Sequence, residues 1–279
     1  MTTATTTTPG ATDLETVLSV RDRPRPAGAA SVSLTFGWRT LLRIRHDPQQ
    51  LFDAVAFPIM FTLMFTYLFG GALAGSTGEY LEYFLPGVMV FTVVMLTMYA
   101  GVALNADVSR GVTDRFRSMP LWRPGILVGA MLGSLVRYAT GSLVVVGLGL
   151  ALGYRPGGGV GGVLASILLL LGFALAMSWV FTALGLLLRT PEAVMGAGPV
   201  VLFPYVFASN LFVDPRTMPG WLRAIVEVNP FTHAVTAVRG LLDGTAGSGE
   251  IGWVLVSSAL VVAVFAPLTV RLHNAGPRS

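Results

Sequence analysis

Cysteine is absent from the 279-residue chain, and so is lysine. Without cysteine there are no disulfides, thiolate metal sites or cysteine nucleophiles, and the redox compartment is not encoded. Without lysine the chain cannot form a G-x-x-x-x-G-K-[ST] phosphate loop or a Schiff base, so it is not itself a Walker-type ATPase. All eighteen basic residues are arginine. Histidine is nearly as scarce: His46, His233 and His273 lie far apart in the sequence, which argues against clustered metal ligands or a base beside a nucleophile. Charge of either sign is thin, at 11% of residues against 53% hydrophobic, with a mean hydropathy of +0.71. That is the composition of an integral membrane protein.

The charge-free runs are 54–78, 83–106, 156–188, 193–213 and 251–270, with 124–154 interrupted only by Arg137. A helix needs about 20 apolar residues to cross a hydrocarbon core of roughly 30 Å. The glycine-rich start of 156–188 leaves length for one crossing, so the fold class is an all-α integral membrane protein with six transmembrane helices. Their expected bounds are 52–74, 84–106, 126–153, 163–188, 193–213 and 251–270. Residues 1–30, rich in threonine, proline and alanine, read as a disordered cytoplasmic tail with no signal-peptide core. The membrane domain is residues 31–279.

Arginine sets the orientation. With both termini inside, thirteen arginines fall in inner segments and four in outer ones, Arg155, Arg216, Arg223 and Arg239. The expectation is a multi-pass cell-membrane protein with cytoplasmic N- and C-termini. The net charge of +4 belongs to this topology. No aromatic and basic stripe accompanies it, so nucleic acid is not an expected partner.

Three segments are amphipathic rather than spanning. In SLTFGWRTLLRIRH, residues 33–46, helical spacing sets Leu34, Trp38, Leu41 and Leu42 opposite Arg39 and Arg43. This suits a helix in the membrane interface, anchored by lipid or touching a cytoplasmic partner. Between the last two crossings, a short helix is expected to start with Thr217 as cap and Pro219 in its first turn, with Trp221, Leu222 and Ile225 on one face. A second follows with Asn229 as cap and Pro230 at the first position; it carries Phe231, Val235, Val238 and Leu242 and stops at Gly244. Neither is long enough to span, so the pair is expected to dip into the outer leaflet. Within the spans, Arg137 is open to snorkelling, to a neighbouring helix or to a functional site. Pro199 and Pro204 mark either a tolerated kink or a bent helix beside a moving pathway.

The third amphipathic segment is DVSRGVTDRFRSMP, residues 107–120. As a helix it carries Val108, Val112, Phe116 and Met119 on one side and Arg110, Asp114 and Arg117 on the other, with Arg115 at the edge, before Pro120 ends it. Topology alone asks for the arginines but not for the apolar stripe, which favours docking on lipid or on a protein groove.

This block, followed by LWRPGILVGAMLG, together with LFVDPRTMPGWLRAIVEVNPFTHAVTAVRGLL before the last crossing, resembles the permease subunits of type 2 ABC exporters, most of all the daunorubicin-resistance group. The resemblance spans about residues 32–272. It implies that Asp107, Arg110, Val112, Asp114, Arg115, Phe116, Arg117, Met119 and Pro120 form a coupling helix seated on a separate ABC ATPase subunit. The interfacial helix, with Leu34, Trp38, Arg39, Leu41 and Arg43, would be a second contact. The outer helix pair, with Trp221, Asn229, Pro230, Phe231 and Arg239, would flank the exit between two permeases of a homodimer carrying two ATPase subunits. The chain would bind no cofactor; ATP and Mg would sit on the partner. The implied role is export of a drug or other hydrophobic small molecule from surrounding membrane lipid, with no catalysis by this chain. Export of lipid-linked or polysaccharide cargo is the nearest alternative. An ion-coupled secondary transporter is the alternative of a different class, but it wants a carboxylate or histidine inside a span, and none of the fourteen acids falls deep in an expected span, Asp53 standing at the very start of 52–74.

Overall fold

A computed structural model describes residues 29–45, 48–110 and 124–275 of the chain. Among these there is no strand; the chain folds into α1 (Ala29–Arg45), α2 (Pro48–Ala74), α3 (Thr77–Ser109), α4 (Pro124–Ala151), α5 (Gly159–Leu187), α6 (Pro191–Phe207), α7 (Gly220–Val228), α8 (Pro230–Asp243) and α9 (Ser248–Ala275), with a 3-10 turn at Pro215–Thr217. The all-α membrane class is what the sequence predicts. Helices α2, α3, α4, α5 and α9 are long and apolar enough to cross a bilayer. The expected tail lies outside the described residues up to 28, and its last two residues, Ala29 and Ala30, open α1 instead.

Helix α6 departs from the expected crossing at 193–213. It has 17 residues, about 25 Å at 1.5 Å per residue, and falls short of a full hydrocarbon core. The remaining stretch, 208–213, leaves the helix and folds under its neighbours, burying Ser209, Asn210 and Leu211. Irregular backbone at such depth must have its polar groups satisfied by protein. Here the Tyr83 hydroxyl donates to the Asn210 carbonyl at 2.9 Å, and Asn210 Nδ2 donates to Thr236 Oγ1 at 2.9 Å.

Helix α3 is the axis of the bundle, packed by α2, α4, α5, α6 and α8. It begins seven residues before the expected position 84 because Ser76 caps it: its hydroxyl accepts from the Glu79 N–H at 3.2 Å, and Glu79 sits in the first turn. That is the S-x-x-E start signal, with the acid at the positive end of the helix. Pro86 therefore lies inside α3 rather than in its first turn.

Where α3 meets α5 there is no room for side chains. A Cβ at Gly101 would collide with the Phe181 carbonyl, and one at Gly185 with the Gly101 carbonyl. Small residues let two backbones touch, which is how helices gain contact without a solvent-driven hydrophobic force. α1 and α4 meet the same way, Gly129 against Ser33 and Phe36, and Gly133 against Gly37 and Thr40. Helix α9, by contrast, shows Trp253, Leu255, Val256, Leu260 and Val264 exposed, an apolar face suited to lipid.

Candidate functional site

Two groups of polar contacts sit at opposite ends of α3. At its C-terminal end, no glycine or proline interrupts the sequence until Gly111, so the helix runs on through Asp107 to Ser109. Asp107 thus belongs to the last turn of α3 and does not begin a separate helix. Its Oδ1 lies 3.3 Å from Arg39 Nη2 on α1. Two residues further in, Asn105 Nδ2 donates to the carbonyls of Gly185 at 2.8 Å and Leu188 at 2.7 Å. These are terminal carbonyls of α5 without helical donors, so one buried amide of α3 caps the end of α5.

A crevice of about 50 Å³ opens beside the ion pair, lined by residues that include Phe36, Tyr99, Met131 and Arg137. Arg137 is 3% exposed, so it does not snorkel. Its guanidinium carbon lies 5.2 Å from the Tyr99 ring centroid and 5.6 Å from that of Tyr138. Contact with a neighbouring helix is therefore the observed outcome, and cation–π attraction offsets part of the desolvation.

The coupling residues expected from sequence divide at this point. Asp107 and Arg110 are described, the latter as the residue closing α3. Val112, Asp114, Arg115, Phe116, Arg117, Met119 and Pro120 lie outside the described residues. In the interfacial helix, Leu34, Trp38 and Leu42 are exposed along one face of α1, while Ser33, Phe36 and Gly37 pack against α4. The helix begins earlier than expected, at Ala29. Arg39 faces Asp107; the side chains of Leu41 and Arg43 are not among those described.

The Arg39 side chain is 38% exposed, and solvent screens such a pair. Asp107→Asn is expected to cost no more than about 1 kcal/mol. Asp107→Arg sets another guanidinium beside Arg39 and Arg137 and is expected to lower transport several-fold. Transport assays on it and on the exchanged pair Arg39→Asp/Asp107→Arg check this, the exchange restoring the rate.

At the opposite end, Asn229 joins three segments. Its Oδ1 accepts from the Phe231 N–H at 2.9 Å and caps α8, while Nδ2 donates to the carbonyls of Tyr205 and Ala208, each at 2.6 Å. Those carbonyls stand where α6 ends, so a single amide 6% exposed ties the end of α6 to the start of α8. Pro230 holds the first helical position and Gly244, at φ +74°, closes α8. Phe231, Val235, Val238 and Leu242 are all buried, as the sequence predicts.

The first helix of the pair differs. Asp214 caps a 3-10 turn, and Pro219 precedes α7 as a cap without a side-chain bond, so Thr217 is not its cap and Pro219 is not inside it. Proline fits this non-helical position because its fixed φ of about −65° suits the approach to a helix. Trp221 and Ile225 are exposed and Val226 is buried.

Arg239 lies near the bend-prone part of α3. Pro86 has no N–H to donate, and its ring crowds the carbonyl four residues back. In the adjoining turn Arg239 Nη2 donates to the Tyr83 carbonyl at 2.9 Å, with the guanidinium carbon 4.1 Å from the Tyr83 ring centroid. Alongside is a polar cleft of about 440 Å³ whose wall includes Glu79, Glu82, Arg155 and Asp243. Tyr154, also in that wall, donates to Asp243 Oδ1 at 3.4 Å. Burial first, then the neighbouring Asp243 carboxylate, holds the Tyr154 phenol above its ordinary pKa.

Among the described residues no group of three or more histidine, aspartate or glutamate side chains could hold a metal ion. Sequence reasoning missed Asn105, Tyr83 and Asn210. Asn105 sits inside an apolar span, the one signal that could have marked it as a helix-to-helix tie.

Comparison with known proteins gives a consistent result. Residues 33–242 match the family described as ABC-2 type transporter. The chain is 51% identical over 268 residues, 96% of its length and 95% of the other's, to the daunorubicin resistance ABC transporter permease protein DrrB1 of Streptomyces coeruleorubidus. It is 25% identical over 241 residues, 85% of its length and 86% of the other's, to a protein of Mycobacterium tuberculosis named as the probable doxorubicin resistance ABC transporter permease protein DrrC.

Proposed function

Because the chain belongs to the ABC-2 type transporter family, we propose that it is the permease subunit of an ATP-driven exporter that clears hydrophobic drugs from the membrane. The observation that carries this reading is the 51% identity, over nearly the whole of both chains, to a daunorubicin resistance permease. A chain without lysine builds no phosphate loop of its own. Energy therefore enters from a separate ATPase subunit, where ATP and Mg bind.

The coupling segment is residues 107–120, which starts in the last turn of α3. Its Val112, Phe116 and Met119 stripe seats in a groove of the ATPase, with Arg115 and Arg117 as polar contacts. Arg39, joined to Asp107 at 3.3 Å, carries the same movement into α1. Both termini lie in the cytoplasm, following the arginine count. Two copies of the chain, with two ATPase subunits, enclose the path, and α7 and α8 dip into the outer leaflet beside its exit. The Asn229 tie makes α8 follow the proline-bearing α6.

The test is co-purification and export. Phe116→Ala combined with Arg117→Ala is expected to lose most of the bound ATPase and at least tenfold in ATP-dependent export of a hydrophobic dye from cells, ten being the fold equivalent of about 1.4 kcal/mol of docking energy. Full ATPase recovery with the double variant would overturn the coupling assignment.

A further inference from the structure

Helix α5 is 29 residues long, about 43 Å at 1.5 Å per residue, and no proline interrupts it. Its two halves pack on different partners. In the C-terminal half lie the glycine contact with α3 and the Asn105 amide that caps its last carbonyls. The N-terminal half lies along α8. Phe173, at the middle of α5, meets Phe231 at the start of α8 edge to face, with centroids 5.7 Å apart and 86° between the planes. Where α5 begins and α8 ends, the two touch through backbone. The Gly158 N–H donates to the Leu242 carbonyl at 2.7 Å. A Cβ at Gly158 or Gly162 would collide with the Leu241 carbonyl, and one at Gly157 would stand 2.8 Å from the Asp243 carbonyl oxygen. Leu242 belongs to the last turn of α8, whose carbonyls lack helical donors, and Gly158 is the residue before α5. The negative end of one helix dipole thus meets the positive end of the other.

Helix α3 also reaches α8 directly, where Arg239 donates to the Tyr83 carbonyl. That contact lies beyond Pro86, where α3 loses a helical hydrogen bond and is free to bend. α5 has no such break.

We infer that α5 is the strut that carries movement from the coupling end of α3 to α8, with Gly158 and Gly162 as the positioning residues of its contact with α8. Helices held by backbone contact shift together, because a close-packed interface takes discrete positions rather than deforming continuously. This rests on the export reading, in which α3 leads into the coupling segment and α8 flanks the exit.

The chain has no cysteine of its own, so spin labels can be set at chosen positions. Leu187→Cys with Thr245→Cys, both exposed, labels α5 and the end of α8; Phe52→Cys with Thr245→Cys reaches from α8 to α2. Pulsed electron resonance measures each distance on the full chain with its ATPase in nanodiscs, before and after trapping with ATP, Mg and vanadate, labelled copies being diluted with unlabelled ones. Trapping is expected to shift the distance between positions 52 and 245 by about 2 Å or more and to leave that between 187 and 245 unchanged. Gly162→Ala is expected to make the second distance change too, and to raise several-fold the ATP hydrolysed per molecule of hydrophobic dye exported. Gly161→Ala, with nothing within 4 Å of the added Cβ, is expected to match the unaltered chain. The label pairs decide the matter with the glycines intact, even where Gly162→Ala does not fold. Given dye export, a change between 187 and 245 in the unaltered chain, or no shift between 52 and 245, overturns the inference and leaves the export reading standing. So does a Gly162→Ala chain that loses only thermal stability, or an α8 shift that Arg239→Gln abolishes and Gly162→Ala keeps. A chain that exports no dye with the ATPase bound counts against the export reading, and the inference falls with it.

Discussion

Asn229→Ala should give a permease that unfolds at a markedly lower temperature and exports poorly even with its ATPase bound. The substitution removes the cap of α8, worth about 0.5–2 kcal/mol. It also leaves the carbonyls of Tyr205 and Ala208 without the donor that now reaches them at 2.6 Å, and an unsatisfied buried group costs about 1–3 kcal/mol. The two ends of the amide can be separated. Asn229→Ser keeps an acceptor for the Phe231 N–H but is too short to reach the end of α6. Asn229→Asp keeps the acceptor and turns a carboxylate toward two carbonyl oxygens. Thermal midpoints in detergent should therefore fall in all three, with serine the least affected. An alanine variant with unaltered midpoint and export would show that α6 and α8 are not tied through this residue.

The cap at Asn229, the helix-start proline after it and the stop at Gly244 were legible because they act locally: each is set by residues within one turn of the helix end. The buried face of α8 was legible for the same reason, its period matching the helix. The end of α6 was not. Residues 208–213 are as apolar as the helix before them, so composition reads straight through Phe207 and offers no stop. What halts the helix is tertiary, a pocket formed by Tyr83, Thr236 and Asn229 that takes up the freed polar groups. The start of α3 failed in the opposite sense: the S-x-x-E signal was present at Ser76, but the run without charge begins only at 83, and hydropathy outweighed the cap. Arg39 and Asp107 stand 68 positions apart. No local pattern joins them, because their pairing depends on α1 docking against α4 and so reaching the end of α3.

The glycine contact between α3 and α5 gives a prediction whose sign is the test. In an ordinary helix interior, Gly→Ala stabilises by about 1 kcal/mol. Gly172, also inside α5, has nothing within 4 Å of an added Cβ, and Gly172→Ala should raise the thermal midpoint. Gly101→Ala and Gly185→Ala should each lower it. The new methyl meets a carbonyl oxygen of the facing helix, backbone that cannot swing aside like a side chain, and such overpacking costs about 1–3 kcal/mol. The two helices must then part, and parting draws Asn105 away from the Gly185 and Leu188 carbonyls it now caps. The damage falls within two turns of Asp107, where α3 leads into the proposed coupling segment. If α3 and α5 move as one body when the ATPase closes, both variants should hydrolyse more ATP per molecule exported, while Gly172→Ala keeps the original ratio. A lower midpoint with an unchanged ratio would confine this contact to stability and move the site of coupling elsewhere on α3.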